Sequence, residues 1–126
     1  MGISIGSDSK YFDKRWAYSY STFERIRKNL REIVGIPPEE VEVYYPKGLN
    51  GYWYEDDSVP DDIIFLLSHR DEGGIFMPWT SEAIGRRLTE ILIHNLTGVL
   101  YPLTLELRDL FVAAGDEDNR VILEVS

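Results

Sequence analysis

The chain has no cysteine, which removes disulfides, thiolate metal sites and thiol catalysis at once. Histidine is nearly as scarce, so any imidazole chemistry has to run through His69 or His94. Long apolar runs are missing too. The clean stretch Ile63–Leu67 is far too short to cross a bilayer as a helix. No basic stretch followed by an apolar segment opens the sequence, so a secretion signal is not expected and the chain reads as cytoplasmic. Repeats, low-complexity tracts and domain linkers are also lacking. At 126 residues the chain has the size of one domain, residues 1–126.

Aromatic rings, by contrast, are plentiful. Three Trp, eight Tyr and five Phe make 13% of the chain, and rings with polar tips favour boundaries and interfaces. The net charge of −9 is unevenly spread. Residues 1–36 carry seven Lys/Arg against four Asp/Glu, whereas residues 37–76 carry two against ten. Such an acidic excess disfavours nucleic acid as the partner of the whole surface and suits a basic protein partner. No membrane partner is expected, and the oligomeric state is left open.

Hydrophobic periodicity places the elements. Ile3-Ser4-Ile5 and Arg15–Tyr20 alternate as strands, with Trp16, Tyr18 and Tyr20 on one face. Ser21-Thr22-Phe23-Glu24 reads as a capping box opening a helix whose apolar stripe is Phe23, Ile26, Leu30, Ile33 and Val34. Glu24–Lys28 and Lys28–Glu32 would pair on its outer face, and Gly35 would end it ahead of Pro37-Pro38. Val41–Tyr45 suggests a strand, and Leu49–Pro60 a long surface loop. Ile63–His69 is compatible with a short helix capped by Asp61 or Asp62 and with a buried strand, the helix being preferred.

Gly73-Gly74 forces a turn. A helix over about 81–95 follows, with Thr80 as N-cap, a stripe of Ala83, Ile84, Leu88, Ile91 and Leu92, and the pairs Glu82–Arg86 and Arg86–Glu90. A third helix, about 102–114, has Pro102 in its first turn and Leu103, Leu107, Leu110, Phe111 and Ala114 inward. Gly115 would terminate it before a strand at Val121–Val125. The fold class is therefore α+β, with three main helices packed on a small, mainly antiparallel sheet, one layer of each.

Three pieces carry a resemblance. Tyr18-Ser19-Tyr20-Ser21 leads into a helix with Phe23, Arg25 and Leu30. Ser68-His69-Arg70-Asp71-Glu72-Gly73-Gly74 forms a His-x-Asp-x-x-Gly type of turn after an apolar run. A helix, then a last helix leading into a C-terminal strand, complete the set. In these the chain resembles a loosely defined group of small bacterial and phage-associated proteins. The resemblance implies one ordered domain and transfers no catalytic residue.

Three surfaces could carry function. The acidic, aromatic stretch Tyr44, Tyr45, Tyr52, Trp53, Tyr54, Glu55, Asp56 and Asp57 combines large rings with carboxylates that would steer a basic partner. It supports a non-catalytic protein-binding module. His69, Asp71 and Glu72 offer ligand types for Zn²⁺, Mn²⁺ or Mg²⁺, and so a metal-dependent hydrolase, although no established metal spacing is matched. In the plainer alternative Asp71 caps the backbone of a turn and a glycine closes it. Arg25, Arg27, Lys28 and Arg31, near Tyr11, Trp16, Tyr18 and Tyr20, could contact single-stranded nucleic acid through phosphates and stacking. Gly73-Gly74 lacks the spaced glycines and the Lys-Ser/Thr of a phosphate loop, so no cofactor is expected.

Overall fold

The computed structural model describes residues 2–7, 15–37, 63–67, 74–95, 100–118 and 120–125. Strands β1 (Gly2–Ser7) and β2 (Arg15–Ser19) are followed by helix α1 (Tyr20–Val34) and the single turn α2 (Ile64–Leu67). Strand β3 (Gly74–Phe76), helices α3 (Pro78–Asn95) and α4 (Leu100–Asp116), and strand β4 (Val121–Val125) complete the order. The fold is α+β: the described strands form one antiparallel four-stranded sheet, ordered β2-β1-β4-β3, under a layer of helices.

Register explains the one-sided layering. Ile5 lies opposite both Trp16 and Leu123, and Phe76 lies opposite Val121. Side chains alternate between faces of a strand, so these residues share a face, and all are buried. The intervening Ser4, Arg15, Ala17 and Glu124 are half-buried or exposed on the other face. The helices cover the apolar side. The Trp16 indole N–H donates to the Leu103 carbonyl of α4 at 3.0 Å, and Phe76 meets Phe111 edge-on at 5.2 Å between centroids. On the outer face the Arg15 side chain lies over Gly6 and donates to the Ser4 hydroxyl at 3.1 Å. That places a cation on an edge strand, where it discourages pairing with another chain.

Helices α3 and α4 form an antiparallel pair brought close by glycine. A Cβ added at Gly85 would stand 2.9 Å from the Val112 nitrogen, and one at Gly115 would stand 2.8 Å from the Glu82 Cα. Gly115 lies in the last turn of α4, which runs past it to Asp116 rather than ending at it as the sequence predicts, and the close approach of α3 requires a glycine there. Helix α3 likewise begins at Pro78, a suitable first-turn residue, three positions ahead of the predicted start. Thr80, expected as its cap, is buried within the first turn. The Glu82–Arg86 pair forms at 2.8 Å, but Glu90 is bound by Arg87 at 3.1 Å.

The N-cap of α1 is Ser19, not Ser21: its hydroxyl accepts from the Thr22 N–H at 3.2 Å. Gly35 closes that helix at φ 73°, its N–H donating to the Arg31 carbonyl. The left-handed conformation needed there suits glycine. Residues 64–67 are helical and buried, as the preferred reading of that run expects. The predicted Val41–Tyr45 strand and Leu49–Pro60 loop lie outside the described residues. Among the described residues no helix is long and apolar enough to cross a membrane.

Candidate functional site

Helix α1 is the one candidate surface of the sequence that falls among the described residues, and its packing redistributes the basic and aromatic side chains. Position 27 lies four residues after Phe23 and three before Leu30, so it falls on the apolar stripe although it carries a charge. Arg27 is accordingly 1% exposed. Its guanidinium stacks 4.7 Å from the Phe23 centroid and 5.8 Å from that of Tyr20. One terminal nitrogen donates to the Tyr20 hydroxyl at 3.3 Å and to the Glu24 carboxylate. The other Glu24 oxygen accepts from Arg31 at 3.4 Å. Glu24 therefore bridges two arginines instead of pairing with Lys28, and it does not reach back to the helix start as a capping box requires.

Burial of this guanidinium is incompletely compensated. Arg27 Nε and its second terminal nitrogen have no hydrogen-bond partner among the described residues. Desolvating a charge is costly unless every donor is satisfied, and an apolar side chain of similar volume often replaces such a charge without loss. Arg27→Met is expected to leave stability within about 1 kcal/mol of the native chain or to raise it. Glu24→Ala, which strands the guanidinium without its carboxylate, is expected to cost about 1–3 kcal/mol. Urea denaturation of the two variants beside the native chain checks both signs.

The neighbouring rings are engaged as well. Trp16 is buried with its N–H on Leu103, and the Tyr18 hydroxyl donates to Glu106 at 2.7 Å. The hydrogen bond to the Glu106 carboxylate raises the Tyr18 pKa above the ordinary phenol value of 10.0, with desolvation and the carboxylate's charge adding to it. The nucleic-acid reading thus loses Trp16, Tyr18 and Arg27 to internal contacts. Exposed Arg25 and Lys28 remain, with half-buried Arg31 beside an open groove of about 430 Å³ lined by Lys28, Arg31, Glu32, Gly35, Ile36 and Pro37.

The other predicted site residues lie outside the described residues: Tyr44, Tyr45, Tyr52, Trp53, Tyr54, Glu55, Asp56 and Asp57 of the aromatic stretch, Tyr11, and His69, Asp71 and Glu72 between α2 and β3. Among the described residues no group of three or more His, Asp or Glu side chains could hold a metal ion. His94 falls in the last turn of α3.

No family model, curated protein or solved structure matches this chain. The described residues carry nine Lys/Arg and ten Asp/Glu, a net of −1, against −9 for the whole chain. Nearly all the acidity belongs to the other residues, most of it within 39–72.

Proposed function

We infer that the protein is a non-catalytic binding module that engages another protein through its acidic, aromatic stretch, Tyr44 to Asp57. The observation that supports this is the near-neutral helix-and-sheet frame, whose buried arginine and strand aromatics are spent on internal contacts. Residues 39–72 hold most of the acidic excess, and the stretch Tyr44–Asp57 among them combines three carboxylates with five clustered large rings. Rings of this kind anchor interfaces, and surrounding carboxylates accelerate encounter with a basic partner.

The test is affinity capture with the native chain and with a Trp53→Ala/Tyr54→Ala variant as parallel baits. A bound protein retained by the first and lost by the second, with closely similar melting temperatures, is the expected result. Equal capture by both baits, or a variant that melts more than about 10 °C lower, would remove the stretch as a contact surface. The second outcome would mean that these rings belong to the core.

A further inference from the structure

The outward side of α3 carries a pattern that reads the same in both directions. Trp79, Glu82, Arg86, Glu90 and Ile93 are spaced 3, 4, 4 and 3 residues apart. A large apolar residue thus stands seven positions either side of Arg86, and a glutamate four positions either side. At about 100° per residue all five fall within roughly 80° of arc, a single stripe along the helix. They face solvent. Trp79 is 48% and Ile93 72% exposed, and the side chains of Glu82, Arg86 and Glu90 are 56%, 70% and 57% exposed. Ile84, Leu88 and Ile91, on the opposite side, take part in the core.

A two-fold interface uses the same patch twice, so the patch must complement itself when reversed. We propose that α3 pairs antiparallel with α3 of a second copy of this chain, with Arg86 at the two-fold axis. Trp79 then covers Ile93 of the second copy at each end of the contact. In the middle, each Arg86 lies one helical turn from Glu82 and Glu90 of the second copy. With Arg87, which already holds Glu90 at 3.1 Å, the two copies bring together four cations and four carboxylates. The apolar ends are closed, and the two Arg86 side chains that meet at the axis are flanked by these carboxylates and by Asp116 of α4, which lines the same groove as Glu82 and Arg86. One helix pair is a small interface, so the dimer belongs to the weak, concentration-dependent class. The inference is independent of the 44–57 reading, and either can fail alone.

The absence of native cysteine makes the register directly measurable. Arg86→Cys, Ile93→Cys and a Glu82→Cys/Glu90→Cys double variant, whose two positions face each other across the same axis, are treated with a bis-maleimide spanning about 8 Å, close to the separation of packed helix axes. Thermal melts first establish that each variant folds. The two-fold arrangement predicts crosslinked dimers for Arg86→Cys and for the double variant. It predicts few for Ile93→Cys alone, whose two copies lie about 21 Å apart along the axis. Sedimentation velocity of the native chain should show a coefficient that rises with concentration, and Ile93→Asp should lower the association constant at least tenfold. A native chain that stays monomeric to about 1 mM overturns the proposal, as does stronger crosslinking of Ile93→Cys than of Arg86→Cys.

Discussion

Trp16→Ala is expected to lower the free energy of unfolding by about 3–5 kcal/mol, the usual cost of deleting a large ring from a packed interior. The indole is 1% exposed, although its strand lies at the edge of the sheet. It contacts Phe23 of α1 at 5.7 Å and Tyr18 at 4.7 Å between centroids, and its N–H reaches the α4 backbone. The ring thus ties sheet, first helix and last helix together, and none of the three can close the gap alone. Trp16→Phe separates the contributions. It keeps an aromatic ring in the site and loses the hydrogen bond, so its cost should be clearly the smaller. Urea denaturation monitored by far-ultraviolet circular dichroism reports both. A cost below about 1 kcal/mol for the alanine variant would show that the elements repack around the site.

Gly85→Ala and Gly115→Ala have the second largest expected effects, and there the sign is the informative part. Inside a helix, alanine is ordinarily favoured over glycine by about 1 kcal/mol. Here the added methyl meets backbone. At Gly115 it would lie 2.8 Å from the Glu82 Cα and 3.0 Å from its nitrogen. At Gly85 it would lie 2.9 Å from the Val112 nitrogen and 3.1 Å from its Cα. Backbone cannot rotate aside as a side chain can, so α3 and α4 must separate and lose packing along their length. Each substitution should therefore destabilise by about 1–3 kcal/mol despite the gain in propensity. Thermal melts of the two variants decide it. A higher melting temperature for either would mean that the helices tolerate a wider spacing.

Much of the architecture is legible in the residue pattern, for identifiable reasons. Strands β1, β2 and β4 alternate cleanly, and α1, α3 and α4 carry stripes at helical spacing, so local periodicity suffices. The failures occur where a tertiary contact overrides the local signal. Gly115 looks like a helix terminator because glycine usually is one. Only the proximity of Glu82 shows why a glycine stands in the last turn of α4 rather than beyond its end. The repeated Tyr-Ser of residues 18–21 offers two caps, and the geometry selects the first. Strand β3 is three residues long, too short for a period to register. At the candidate site, the charge of Arg27 points to an outward position, whereas its spacing from Phe23 and Leu30 places it inward, where it is buried. The palindrome on α3 is present in the sequence, but it becomes visible only once the side of the helix that faces solvent is known.

The strand order has a consequence for how the chain acquires its structure. Strands β1 and β4 are neighbours in the middle of the sheet, with Ile3 opposite Val125. A nascent chain emerging from the ribosome can assemble the β1–β2 pair early, but the other side of β1 stays unfilled until β4 has been synthesised. Among the described residues β3 pairs with β4 alone and must wait with it. Closure of the sheet is thus deferred until β4 has left the ribosome. This most non-local step belongs to the slow class of folding events, and the apolar face of β1 is exposed to misassociation in the interval.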